Sequence, residues 1–108
     1  MTMTAADLNA LRPALQQRDN KRFLNVGCGS AGPERLPECF QQPEWQQIRL
    51  DINPAVKPDI IANLTDLSAV ETGSIDAVYS SHNIEHLYLH ETVIALQEMH
   101  RVIRPGGF

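Results

Sequence analysis

No apolar run in this sequence approaches the roughly 18 residues of a membrane-spanning helix, so no membrane role is expected. Basic clusters are missing too. With a net charge of −4 and no run of Lys or Arg, the chain lacks a surface suited to tracking phosphates, which argues against a nucleic-acid partner and for a small substrate. The first residues, MTMTAADLNALRP, show neither a basic start before an apolar core nor an Arg-rich amphipathic pattern; a cytoplasmic location is the expectation. Cysteine is scarce. Cys28 and Cys39 fit no zinc or redox spacing and cannot make a disulfide framework, so both read as reduced thiols. A length of 108 residues leaves room for one modest domain and no second one.

What is present is organised around Arg22 to Gly32, RFLNVGCGSAG, an apolar run that breaks into glycines at 27, 29 and 32. Phe23, Leu24 and Val26 suit a buried strand, and glycines directly after it let backbone approach a ligand where a Cβ would intrude. A tight turn leaving a strand uses glycine as well, and the spacing alone does not separate the two readings.

The rest of the chain reads as strands alternating with crossovers. Residues 4 to 18 carry Leu8, Leu11 and Leu15 at helical spacing after Thr4, with Pro13 as a kink, and residues 1–21 are taken as an N-terminal helical segment. The first strand runs from about Arg22 to Val26 and the second from about Gln47 to Ile52. Between them Pro33, Pro37 and Pro43 leave no helical stretch of ordinary length, so an irregular loop is predicted, anchored by packing of Trp45. Backbone N–H groups of the glycine loop then have to serve in place of a long helix's N-terminus. Asp51 lies nineteen residues after Gly32, near the offset at which an acidic residue meets a ribose diol, although a carboxylate leading into Asn53-Pro54 is also an ordinary turn. Asp59 to Ala62 and Ile75 to Ser81 give the third and fourth strands. A helix follows from about His90 to Ile103, with Val93, Leu96, Met99, Val102 and Ile103 placed for one apolar face. Arg104-Pro105-Gly106-Gly107 ends it, and Phe108 starts another strand.

The histidines recur every fourth residue at 82, 86 and 90, and with Glu85 they could be imagined as metal ligands. His82 belongs to a strand end, which spoils a shared helical face, so no metal is expected. His86 is read as hydrogen-bonding inside the fold, His90 as lying near the helix start, and His82 as a candidate general base.

With LNVGCG, then LDINP, then DAVYSSHNIEHL, then EMHRVIRPGG in order over residues 22 to 108, the chain resembles the class I S-adenosylmethionine-dependent methyltransferases of the type 11 kind. The resemblance implies an α/β, Rossmann-like doubly wound parallel sheet, of which residues 22–108 supply the N-terminal half, strand order 3-2-1-4, as a partial cofactor-binding domain. S-adenosyl-L-methionine is the implied cofactor. Gly27, Cys28 and Gly29 match the loop around its methionine part, Asp51 the ribose clamp, Ile52 the neighbour of the adenine, Asn63 and Leu64 the adenine edge, and Ser81 and His82 the segment near the transferable methyl. Asn25 and Asn63 stand where acidic residues are common in the family, and Ala31 where the tight loop has its third glycine.

The implied reaction is methyl transfer to a small-molecule acceptor. Against it stand a nicotinamide oxidoreductase, which shares the glycine loop and acidic clamp, and a degenerate or truncated domain that binds cofactor without catalysis or serves only in assembly. If the sheet stops at its fourth strand, that strand keeps an open edge. Self-association through this edge or through the C-terminal helix is then expected.

Overall fold

The structure, a computed structural model, describes residues 21–108. The helix expected over residues 4 to 18 lies outside them. Four strands, β1 (Lys21–Val26), β2 (Trp45–Asp51), β3 (Ile60–Ile61) and β4 (Ala77–Ser80), form one parallel sheet in the order β3-β2-β1-β4. Leu24 of β1 faces Ile48 on one side and Val78 on the other. The one α-helix among the described residues, α1, spans Leu89–Val102. Each strand forms where it was predicted, with ends shifted by one to two residues. Ile52 falls outside β2, and Ile75 pairs with Ile103 as a separate bridge below β4.

Alternation along each strand sorts the side chains onto two faces with different cover. On one face Leu24, Val26 and Leu50 pack with Leu67, Val70 and Ile75 against Ala95, Met99 and Val102 of α1. Those three helix positions, spaced four and three apart, are the buried stripe. Val93 and Leu96, expected to point inward with them, are instead exposed and form a second stripe with Leu89. The helix start is fixed by Glu91, whose carboxylate accepts the Tyr88 N–H at 3.0 Å.

Among the described residues the other face is covered without a helix. The prolines confine the β1–β2 connection to two 3-10 turns, Pro33–Arg35 and Glu38–Gln41, and the second of these presents the buried Phe40 to the sheet. Phe40 stacks on Phe23 at 4.3 Å between ring centroids and meets Trp45 edge-on at 5.0 Å. Phe108 lies over both Phe40 and Trp45. Trp45 is thus a packing anchor, as expected. Phe108 also donates its N–H to Asp76 C=O and accepts from Val78 N–H, so the outer edge of β4 already has the beginning of a neighbour. Among the described residues no helix is long and apolar enough to cross a membrane.

The Glu98 and Arg101 pair on α1 goes beyond an ordinary surface pair. Arg101 donates twice to the Glu98 carboxylate and also to Leu67 C=O, Val70 C=O and Thr72 Oγ1, while Glu98 accepts the Leu67 N–H at 2.9 Å. The pair therefore fastens the Leu67–Thr72 loop to the helix. Hydrogen bonds from Arg101, then from Leu67 N–H, hold the Glu98 carboxyl below its ordinary range against the opposing effect of burial. A depressed carboxyl contributes stability that is complete above its unfolded pKa of about 4.3 and is lost as pH falls through the lower folded value. Glu98→Gln is expected to cost on the order of 1 kcal/mol near neutral pH, low for a charged hydrogen bond because the pair is partly open to solvent. Urea unfolding at about pH 7 and about pH 3 checks this: the gap between wild type and Glu98→Gln has to shrink on the acid side.

Candidate functional site at the carboxyl ends of the strands

In a parallel sheet of this kind the strand ends gather on one rim, and that is where ligands bind. β1 delivers Gly27 and Gly29 there, both in the left-handed region at φ 65° and 60°. Cys28 between them donates its N–H to Leu50 C=O at 3.0 Å, which carries the β1–β2 ladder past the last strand residue. Gly29 is then gripped twice from β2. Its N–H donates to Asp51 Oδ2 at 2.9 Å, and its C=O accepts from Arg49 Nη2 at 2.7 Å. The other Asp51 oxygen accepts the Asn53 N–H at 2.9 Å, so the carboxylate is fixed in position at the strand end.

Arg49 reaches further. It donates to Val56 C=O at 3.0 Å and Lys57 C=O at 2.8 Å, binding the β2–β3 connection to the same guanidinium. From the other side of β1, Asn83 donates to Val26 C=O at 2.7 Å and to Ser80 Oγ at 3.2 Å. It follows His82, whose φ of 56° is left-handed in a residue that is not glycine.

Of the residues expected at the site, Gly27, Cys28, Gly29 and Asp51 thus come together in direct contact. Ile52, Asn63, Leu64, Ser81 and His82 follow the ends of β2, β3 and β4 on the same rim, and among the described residues no hydrogen bond joins them to the glycine loop. Ile52 is 63% exposed, an apolar side chain uncovered beside the Asp51 carboxylate. Asn63 is turned to local use, its Oδ1 accepting the Thr65 N–H and hydroxyl, both at 3.0 Å, and Leu64 packs against the core. Gly32 has an ordinary φ of −76°, so the third glycine is not needed for backbone conformation.

Two expectations change. The loop N–H groups of Cys28 and Gly29, expected to receive a ligand, are both satisfied within the protein, so the loop is not an anion-binding nest at these positions. The His86 side chain makes no hydrogen bond among the described residues: it is exposed, with Glu85 4.0 Å away, and only its backbone N–H donates, to Asn83 C=O. Among the described residues no three His, Cys, Asp or Glu side chains come together as metal ligands. Sequence reasoning missed Arg49 and Asn83. The signal for Arg49 was there, since positions 49 and 51 of β2 share a face. Nothing marked Asn83. A shallow, open cavity of about 260 Å³, lined by apolar Leu24, Ile48 and Ile75 and by polar Arg22, Glu71 and Ser74 among others, includes no residue of the glycine loop.

Comparison with known proteins bears on the fold and the family. The model of a family described as a methyltransferase domain matches residues 24–108. Among solved structures, the PH0226 protein from Pyrococcus horikoshii OT3 has a similar fold, with a TM-score of 0.63 at 21% identity over 94% of this chain. The chain spans 54% of that structure's length. No curated protein matches the sequence.

Burial raises the Cys28 thiol above its ordinary pKa, and the nearby Asp51 and Asp59 carboxylates add to the rise while the Arg49 charge opposes it. The thiolate is the reactive form. Iodoacetamide at about pH 7.5 is therefore expected to alkylate the exposed Cys39 at least about tenfold faster than Cys28, read by peptide mass spectrometry over time. Equal rates would mean that the glycine loop opens readily in solution.

Proposed function

We propose, because the chain belongs to the methyltransferase-domain family, that it binds S-adenosyl-L-methionine at this rim and serves methyl transfer to a small-molecule acceptor. The observation that carries the cofactor reading is the internal use of the loop's N–H groups. A dinucleotide needs free N–H donors and a helix N-terminus for its pyrophosphate. Here the Cys28 and Gly29 donors are engaged, and only a 3-10 turn follows the loop. A cofactor with one ribose and no phosphate makes no such demand. The residues present fit it: a Cβ built on Gly29 would meet nothing within 4 Å, so backbone borders open space beside Asp51.

When bound, the cofactor supplies a methyl group on a sulfonium sulfur, already activated for displacement, and the protein's part is to bind and orient. Asp51, immobilised by two N–H donors, keeps a second lone pair on each oxygen for the ribose hydroxyls. Ile52 would offer its exposed side chain to the adenine face, and Asn63 and Leu64 would border the adenine edge. With the cofactor bound, Ser81 would stand on the side of the transferable methyl, and His82, exposed on the rim, would serve as general base where the acceptor must lose a proton.

Isothermal titration of the chain with S-adenosylmethionine and with NADH tests this reading. Asp51→Ala is expected to weaken S-adenosylmethionine binding by about 2 to 4 kcal/mol, roughly thirty- to a thousandfold, since it removes charge-assisted bonds to the ribose and also releases Gly29. Unchanged affinity in a folded Asp51→Ala protein sinks the assignment. Binding of NADH instead would favour an oxidoreductase, and silence with both a role in assembly.

A second copy of the chain is the partner proposed, docking through the outer edge of β4 or through α1, whose Leu89, Val93 and Leu96 are exposed apolar side chains. Light scattering over a concentration series is expected to show the mass rising toward a dimer, and a constant monomer mass at high concentration rejects it.

A further inference from the structure

We infer that Asn83 is the positioning residue of the glycine loop: its side-chain amide sets the backbone at Val26 and Gly27 and ties the segment after β4 to the loop after β1. The inference rests on the cofactor reading above only for its meaning in binding, not for its geometry. The amide is placed between two strand ends. Its nitrogen donates to Val26 C=O at 2.7 Å and to Ser80 Oγ at 3.2 Å. Because the Val26 carbonyl can only accept, the nitrogen and not the oxygen has to face it. The oxygen then lies against the Gly27 α-carbon. A Cβ built there would collide with Asn83 Oδ1 and fall 2.5 Å from Cγ and 2.8 Å from Nδ2.

The two glycines therefore have different reasons to be glycine. Both have positive φ, but the Cβ position of Gly27 is filled by Asn83, while that of Gly29 borders open space. Gly27 is the seat for a side chain of the protein, and Gly29 is the face left to a ligand. The left-handed φ of 56° at His82 belongs to the same device, because it turns the chain after β4 back toward β1 and delivers Asn83 onto Gly27. Strain held at a residue of this kind marks a place where the surroundings fix the backbone against its own preference. A side chain that merely filled space would not need both a matched donor and a glycine opposite.

The test uses the whole 108-residue chain without ligand. Amide hydrogen exchange, resolved by NMR, is followed at Cys28 and Gly29, whose N–H groups bond to Leu50 C=O and Asp51. Asn83→Asp, equal in shape but unable to donate, and Asn83→Ala are both expected to speed exchange at these two amides by about tenfold or more, with Leu24 and Leu50 unchanged as reporters of an intact sheet. A double-mutant cycle supplies the second arm. Gly27→Ala is expected to speed exchange at Gly29 in the wild-type background and to do so several-fold less in Asn83→Ala, where the collision has been removed and only the positive φ remains unfavourable. Unchanged exchange in both Asn83 variants, or an equal effect of Gly27→Ala in the two backgrounds, overturns the inference. Should either Asn83 variant lose the protected Leu24 and Leu50 amides, Asn83→Ser, which keeps a small donor, is read in the same way. Failure of the unmodified chain to bind S-adenosylmethionine would defeat the cofactor reading and leave this exchange result standing.

Discussion

The rim depends on one guanidinium. Arg49 sits within β2, half-buried, and among the described residues it has no carboxylate in salt-bridge range. Its donors go instead to three carbonyls, of Gly29, Val56 and Lys57. A partly buried cation has to be hydrogen-bonded to be tolerated, and carbonyl dipoles answer that need without neutralising it. The consequence is geometric. Two loops that leave different strands share one anchor, and Lys57 takes a left-handed φ of 52° where its carbonyl meets that anchor. The same charge acts on the Cys28 thiol, drawing its pKa down, yet desolvation wins and the thiol stays protonated near neutral pH.

Around that rim the two faces of the sheet are covered by different means. On the helical face a regular stripe of Ala95, Met99 and Val102 meets the strands, and Arg101 with Glu98 extends the helix's hold to a loop some thirty residues away in sequence. On the opposite face the prolines of the β1–β2 connection rule out a helix of ordinary length there, and among the described residues an aromatic cluster built on Phe40 covers the sheet. Aromatic pairs of this kind contribute about 0.5 to 1.5 kcal/mol each beyond their buried area, enough for one plug to hold an irregular loop. The functional effect is a glycine loop without a helix dipole behind it. Asn25, buried on β1, donates to Gln47 at 2.9 Å, a neutral amide pair that needs no counter-charge.

How much of this could be read beforehand follows from the range of each interaction. The glycine loop, Asp51 and the strand segments are local patterns, and they stand where their residues predicted; the order of the strands came with the family resemblance. The apolar face of α1 was misjudged because Val93 and Leu96 satisfy helical spacing as well as Ala95 does, and periodicity alone cannot choose between two stripes. The i,i+3 spacing of Glu98 and Arg101 suggests only a surface pair on one helix, since the further partners Leu67, Val70 and Thr72 are distant in sequence. Asn83 was invisible for the same reason. Its partner is fifty-seven residues away, and the turn that delivers it depends on a left-handed histidine.

The R-x-D spacing at Arg49 and Asp51 explains why these contacts act together. Residues two apart on a strand share a face, so one strand presents a donor and an acceptor at the separation of the N–H and C=O of a single residue opposite. Gly29 is that residue. Holding both of its polar groups fixes its φ and ψ more firmly than either contact alone, and its lack of a Cβ leaves the outer side open. Asn83 does the corresponding work two residues earlier from the other neighbour of β1. The loop is thus defined from both flanks, by β2 at Gly29 and by β4 at Gly27, and contacts that share one short segment are not independent. Displacing the loop at either end disturbs the other, so the carboxyl end of β1 is held as one unit by side chains of β2 and of the segment after β4, before any ligand arrives.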